Sequence, residues 1–264
     1  MGRASSNFPV QADILDCRKL IRKHANVRID GRSPSEPRVT KITPGFQPFA
    51  EGSALIEIGQ TKVICAATVD ETVPTFLRSS RRGWVTAEYA MLPRSTLSRI
   101  PRERGGRIEG RSTEIQRLIG RSLRAATDMS KLGERTIVVD CDVLQADGGT
   151  RTAAITGAYV ALYQAVLNLV RQSVIPEIPF KAAVAATSVG VVDDIEYLDL
   201  CYEEDSRAAV DFNVVMTDKD EFIELQATAE GDPFSRAIAD RLIELAKTGI
   251  GYLLEVQRDT IRSL

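Results

Sequence analysis

One stretch of the sequence joins two kinds of periodicity through a pair of glycines, and this limits what the chain can fold into. Residues 136–144 are rich in β-branched side chains and alternate in polarity, which predicts a strand. Residues 153–170 are almost all apolar and too long for a strand, which predicts a buried helix. Between them lie Gly148-Gly149 and Thr150-Arg151-Thr152. A strand, a tight turn and a helix therefore follow one another directly.

This turn has the features of an anion-binding site. Glycines allow backbone N–H groups to approach a ligand, and a helix begins with a partial positive charge. Arg151 adds a cation whose planar fork matches phosphate. Two simpler interpretations stay open, because the turn can be only a tight connection and Thr150 only a helix cap. Gly157, one turn further on, would let the helix approach a neighbouring element closely.

A second helix is predicted before the strand. Ile115, Leu118 and Ile119 follow helical spacing, so one face is suited to burial. Arg111 is expected just ahead of this helix, with Ser112 as a plausible cap. The same arginine could also form only a surface salt bridge.

Alternation elsewhere predicts further strands, and Asp232 with Pro233 is expected to start the final helix as N-cap and first residue. Residues 93–110 lack apolar periodicity and predict an irregular, arginine-rich loop. The other predicted strands cover residues 52–57, 61–69, 84–92, 182–192, 195–202, 208–217 and 221–229.

Composition limits the kinds of catalytic and metal sites that the chain can form. The chain of 264 residues has 44% hydrophobic and 27% charged residues, as soluble globular proteins do. Its longest apolar run is better explained as a core helix than as a membrane span. The single histidine, His24, lies in the N-terminal extension, which argues against a catalytic triad or a histidine acid–base pair. Four cysteines without a CxxC pair favour buried thiols in a reducing cytoplasm over a zinc site. Proton transfer is left to carboxylates and lysines.

Charge is unevenly distributed along the chain. Residues 78–124 contain twelve arginines and four glutamates, whereas residues 193–232 contain fourteen acidic and two basic residues. The first segment suits phosphates and the second could hold a metal, although both could be ordinary solvated surfaces.

Long ordered motifs reveal a family resemblance. The run GWVTAEYAMLPRST at residues 83–96, the following helix and strand, and the GGTRT turn resemble the bacterial ribonuclease PH family. Arg28-Ile29-Asp30-Gly31-Arg32 fits the family's opening, and the resemblance extends to about Ile261. It implies a phosphorolytic 3′→5′ exoribonuclease that trims transfer RNA precursors and releases nucleoside diphosphates.

The resemblance also implies an architecture. The expected fold is α/β (α+β), with two βαβ-like lobes of the ribosomal protein S5 domain 2-like type. Six copies would form a ring, a homohexamer built as a trimer of dimers, in the cytoplasm and without a membrane. The expected division is an N-terminal extension at residues 1–26, a first domain at 27–175 and a second at 176–264.

The resemblance assigns expected roles to particular residues. Asp205 and Asp211 would be the catalytic carboxylates and would hold Mg²⁺, and the sequence leaves open which one donates a proton. Inorganic phosphate would be the co-substrate. Phosphate would bind at Arg111, Gly149, Thr150 and Arg151, and RNA at Arg94, Arg99 and Arg102.

Alternatives remain for parts of this interpretation. Asp140 and Asp142 share one strand face but are expected to be structural, because their strand leads into the phosphate turn. Relatives without site residues can be non-catalytic RNA-binding ring subunits, and the presence of all the site residues argues against that role here. A nucleotide-binding kinase would need a longer glycine run than Gly148-Gly149.

Overall fold

A computed structural model describes residues 28–102 and 110–264. The predicted N-terminal extension lies outside these residues, as does the part of the arginine-rich loop at 103–109. Two sheets and four α-helices make up the described chain, and a short 3₁₀ helix, Thr75–Leu77, joins two strands.

The first sheet has the strand order β1-β2-β3-β5-β4. Only β4 and β5 are parallel, and helix α1 connects them, so this lobe contains one βαβ unit. Its elements are β1 (Thr40–Pro44), β2 (Gly52–Ile58), β3 (Thr61–Asp70), β4 (Trp84–Met91), α1 (Gly110–Ala126), β5 (Thr136–Gln145) and α2 (Thr150–Arg171).

The second sheet has the order β7-β6-β8-β9 and is antiparallel throughout. A short helix precedes β8, and a 27-residue helix ends the chain. Its elements are β6 (Val184–Val192), β7 (Ile195–Leu198), α3 (Tyr202–Asp205), β8 (Val210–Thr217), β9 (Phe222–Ala229) and α4 (Arg236–Arg262).

Helix α2 lies at the centre of the molecule, between the first sheet and β6. In the described chain it alone is long and apolar enough to cross a membrane, and 72% of its most apolar window is buried inside the protein. A Cβ atom at Gly157 would lie 2.7 Å from a methyl carbon of Ile56, so only glycine permits this helix–sheet approach. The prediction of a buried helix is confirmed, and Cys65 and Cys141 are buried free thiols beside it.

The structure corrects three predicted boundaries. The strand expected at 195–202 ends at Leu198, because Asp199 has a φ of 54° and turns the chain out of extended conformation. Helix α4 begins at Arg236, not Pro233, because the side chain of Ser235 accepts a hydrogen bond from the N–H of Ile238. The first helix already begins at Gly110.

Candidate active site

The glycine turn caps the N-terminus of α2. Gly149 is the N-cap residue with a φ of 63°, and Gly148 has a φ of 72°, so both adopt the left-handed region that glycine tolerates. The hydroxyl of Thr61 on β3 fixes the turn by donating to the carbonyl oxygen of Gly148 at 2.7 Å. Thr150 is the first residue of the helix and is buried. The first turn of α2 thus presents its N–H groups from a fixed position.

Arg151 is oriented by two other elements. Its Nη1 donates to Oε1 of Gln226 on β9 at 2.9 Å and lies 3.8 Å from Oε1 of Glu114 on α1. Gln226 in turn donates to Glu114 at 2.9 Å. Within residues 28–102 and 110–264, the Nε and Nη2 groups of Arg151 have no hydrogen-bond partner. The guanidinium is therefore positioned and still has donors for an anion.

Arg111 lies in the first turn of α1, so its predicted place ahead of the helix was wrong. Ser112 is likewise inside the helix and buried. Arg111 is exposed, and no described residue forms an ion pair or hydrogen bond with it. Arg111 and Arg151 both act electrostatically on Tyr89 and on Asp205, which places the two arginines around one site.

The two predicted catalytic carboxylates line one open cleft. Asp205 ends α3, and Asp211 is the second residue of β8. With Glu230, which follows β9, they line a cleft of about 650 Å³ whose remaining wall is formed by residues 206–209 and Gly231. The structure therefore brings Asp205 and Asp211 together and adds a third carboxylate.

Electrostatics link this cleft to the arginines. Burial raises the pKa of Asp211, and Asp205 and Glu230 raise it further. Burial also raises the pKa of Asp205, although Arg151 and Arg111 oppose that shift. Like charges close together favour protonation of one carboxyl. Asp211 can therefore keep its proton to a higher pH than an ordinary aspartate does. Cations and carboxylates of the two lobes thus share one site.

The two halves of the site meet at the glycine turn. The N–H of Tyr202 on α3 donates to Oδ1 of Asp147 at 3.2 Å. A Cβ atom at Gly148 would lie 2.5 Å from the carbonyl oxygen of Leu200, so a larger residue would push the lobes apart. Asp205 is therefore held at a fixed distance from the start of α2.

A buried arginine cluster supports this junction, formed by Arg28, Arg32 and Arg38 with Asp199 and Glu204. Arg38 donates through Nε and Nη2 to the carboxylate of Asp199 at 2.9 and 2.7 Å, and through Nη1 to the carbonyl of Asp147. Arg28 donates through Nε to Glu204 at 2.7 Å. Since Glu204 precedes Asp205, the cluster anchors both α3 and the glycine turn.

The described part of the arginine loop, residues 93–102, starts beside the end of β5, where the carbonyl of Ser95 accepts a hydrogen bond from the N–H of Ala146 at 2.8 Å. Arg94, Arg99 and Arg102 are exposed, and the only hydrogen bond among their described contacts runs from Arg94 to the carbonyl of Leu97 at 3.1 Å. Arg102 instead acts electrostatically on Asp142. Burial raises the pKa of Asp142 and of Asp140, and neighbouring Glu88 adds to both shifts.

Two residues near the site were not singled out in the sequence. Tyr89 on β4 donates its hydroxyl to Oγ1 of Thr150 at 2.8 Å. Glu230 reaches the cleft because β9 pairs with β8, and its N–H donates to the carbonyl of Ala209 at 3.0 Å. The hairpin pattern of β8 and β9 could have indicated Glu230, whereas Tyr89 gave no signal beyond its place in a motif.

Known proteins resemble this chain in sequence over most of its length. Residues 36–168 match the 3′ exoribonuclease family, domain 1, and residues 182–249 match domain 2 of the same family. Ribonuclease PH of Dehalococcoides mccartyi is 55% identical over 232 residues, which cover 88% of this chain and 96% of that protein. Ribonuclease PH of Solibacter usitatus is 56% identical over 236 residues, with 89% and 99% covered.

A solved structure shows the same fold. The Archaeoglobus fulgidus exosome, described as having RNA bound to the active site, superposes with a TM-score of 0.74 at 24% identity. The superposition covers 92% of this chain and 97% of that one. The chain belongs to the 3′ exoribonuclease family, because both domains of that family match it over more than half of its length. Both relatives described above share over half of their aligned residues with this chain and are ribonuclease PH proteins, which confirms the predicted family and fold.

Proposed function

We propose that this chain removes 3′-terminal nucleotides from transfer RNA precursors, using inorganic phosphate and releasing nucleoside diphosphates. The enzyme class rests on family membership: the chain is a phosphorolytic 3′→5′ exoribonuclease. The observation that carries the proposed site is the meeting of two partly free arginines, a helix N-terminus and paired carboxylates at one junction between the lobes.

Phosphate would bind at the start of α2. Gly149, Thr150 and Arg151 would supply backbone, hydroxyl and guanidinium donors, and Arg111 would approach from α1. A helix N-terminus with adjacent arginines is well suited to an anion. Phosphate is itself the nucleophile, so the chain need not provide one. Its work is to hold two anionic groups together, which needs fixed cations and dipoles.

The reaction replaces one phosphorus–oxygen bond with another. An oxygen of phosphate attacks the terminal phosphorus, the bond from that phosphorus to the 3′-oxygen of the shortened strand breaks, and this oxygen takes up a proton. Asp205 or Asp211 would supply that proton. Because burial raises the pKa of both, and the charge of Asp205 raises that of Asp211 further, one member of the pair can hold a proton.

The same carboxylates fit Mg²⁺. The described residues contain no group of three histidine, cysteine or carboxylate side chains arranged to enclose a metal. Mg²⁺ commonly uses only one or two carboxylates and takes its other ligands from water and phosphates. Asp205 and Asp211 would hold it, and when bound it would neutralise negative charge at the reacting phosphates.

RNA beyond the terminal nucleotide would contact Arg94, Arg99 and Arg102. Phosphate contacts of this kind give affinity without reading sequence. A cytoplasmic homohexamer, a trimer of dimers, would place several such loops around one RNA and increase avidity. The chain division at residues 175 and 176 remains a prediction, as does the extension at 1–26.

A non-catalytic RNA-binding ring subunit is the other candidate. The fold alone does not separate the two, since exosome chains share it at 24% identity. Identity of 55% to ribonuclease PH favours the enzyme.

Substituting Arg151 tests the proposed site. Arg151→Ala should lower turnover about a hundredfold or more, the usual scale for removing a fixed charge stabiliser. Turnover is measured on a 3′-extended RNA at low phosphate. Arg171→Ala, at the far end of the same helix, is the matched control and should keep its rate. A normal rate for Arg151→Ala would remove this residue from the phosphate site.

A further inference from the structure

A buried hydrogen bond lies directly beneath the start of α2. The hydroxyl of Tyr89 donates to Oγ1 of Thr150 at 2.8 Å, and both side chains are buried. Tyr89 belongs to β4, which pairs in parallel with β5, so its ring is fixed by the sheet. Gln116 on α1 donates to the Tyr89 carbonyl at 3.5 Å. Tyr89 thus stands where both proposed phosphate-binding helices meet the first sheet.

A threonine hydroxyl has one proton and two acceptor positions. When Tyr89 donates to Thr150, one acceptor position is filled and the Thr150 proton remains available. No other described residue forms a hydrogen bond with that hydroxyl. We infer that Tyr89 is a positioning residue that directs the Thr150 hydroxyl proton towards the bound phosphate.

The electrostatic surroundings keep Tyr89 in the required state. Burial raises the pKa of Tyr89, although the hydrogen bond to Thr150 and the charges of Arg111 and Arg151 oppose the shift. The phenol therefore stays protonated at neutral pH and acts as a donor. A tyrosinate would instead accept the threonine proton and withdraw it from the anion.

This inference rests on the proposed phosphate site and predicts coupling between two residues. Tyr89→Phe keeps the ring and removes only the hydroxyl. Thr150→Val keeps the shape and removes the hydroxyl, which is both the donor to phosphate and the acceptor for Tyr89. Each single variant should raise the KM for phosphate about three- to tenfold, the scale of one lost hydrogen bond. The double variant should be no worse than Thr150→Val, because Tyr89 acts only through Thr150.

The experiment measures KM for phosphate, KM for a short oligoribonucleotide, and thermal unfolding for all three variants. Tyr159→Phe is the control, since Tyr159 is a buried tyrosine on the same helix within an aromatic cluster. Coupled effects on phosphate KM, with oligonucleotide KM kept close to wild type in every variant and melting temperature kept close to wild type in Tyr89→Phe, support the inference. Additive effects, or lowered melting without a change in phosphate KM, overturn it and leave the proposed function standing. An unchanged phosphate KM for Thr150→Val would overturn the proposed phosphate site as well.

Discussion

Two groups of arginines in this protein have opposite surroundings. The buried arginine cluster is enclosed, and its Arg38–Asp199 pair has side chains 5% and 9% exposed. Arg94, Arg99 and Arg102 in the arginine loop are exposed and have almost no protein partners in the described chain. The same side chain therefore meets carboxylates and carbonyls in one region and water in the other.

The difference separates structural charge from charge available to a ligand. A buried guanidinium must have its donors satisfied, because an unpaired buried charge is costly. An exposed one can exchange water for phosphate at little cost. Arg151 is intermediate, since Gln226 and Glu114 orient it while some of its donors remain open. Such a partly paired arginine is what a preorganised phosphate site requires.

The largest expected effect on stability comes from the buried arginine cluster. Arg38→Ala removes the cation that binds both oxygens of buried Asp199, leaves only Arg32 at 3.6 Å, and should lower the free energy of unfolding by about 3–5 kcal/mol. Urea denaturation measures this change. Arg94→Ala is the matched exposed control and should stay within about 0.5 kcal/mol of wild type.

If Arg38→Ala cannot be purified folded, Arg38→Lys gives the same comparison. Lysine keeps the charge and loses the planar fork that contacts both Asp199 oxygens. A stability equal to that of wild type would contradict the structural role of the cluster.

The arginine loop should show the reverse pattern. Substituting Arg94, Arg99 and Arg102 together by alanine should leave stability nearly unchanged and weaken binding of long RNA. Each neutralised phosphate on a single strand adds about 0.7 to the salt slope, so the slope should flatten by about 2. Binding is measured across a salt series, and phosphorolysis of a very short oligonucleotide should survive. Equal losses on short and long RNA would place these arginines in the active site.

Two carboxylates near the junction should change stability with opposite signs. Burial raises the pKa of Glu204, but hydrogen bonds from Arg28 outweigh this and hold the pKa below 4.5. Glu204 therefore stabilises the fold above pH 4.5, and this stabilisation is lost as pH falls. The pKa of Asp211 is raised above 3.8, chiefly by burial, so its contribution is full below pH 3.8 and is lost as pH rises.

The two substitutions should accordingly have opposite signs at pH 7 in buffer without divalent cations. Glu204→Gln should lower the melting temperature, and Asp211→Asn should raise it slightly, with the gain disappearing towards pH 3.8. Asp211→Asn melting below wild type at neutral pH would show that the carboxylate stabilises the fold.

Local patterns in the sequence were sufficient for much of the fold. The strand of residues 136–144, the buried helix after it and the glycine turn were predicted correctly because periodicity and turn chemistry are local properties. Boundaries that depend on tertiary contacts were not. Asp199 turns the chain because Arg38 binds it from 161 positions away in sequence. The start of α4 was misjudged because Asp232-Pro233 is an equally plausible capping pattern.

The candidate site divides in the same way. Thr150 and Arg151 adjoin in sequence, so their proximity could be anticipated. The approach of Asp205 to the start of α2 depends on packing between the lobes at Gly148. Tyr89 reaches the site through the parallel pairing of β4 with β5, which a single sequence does not reveal, whereas the hairpin of β8 and β9 could have indicated Glu230.

The most direct test of the central claim follows labelled phosphate. Purified protein is incubated with a 3′-extended RNA and radiolabelled inorganic phosphate, with a parallel reaction lacking phosphate. We predict shortening of the RNA only when phosphate is present, with the label recovered as the β-phosphate of nucleoside diphosphates. Unlabelled nucleoside monophosphates, formed at the same rate without phosphate, would show hydrolysis and contradict the account.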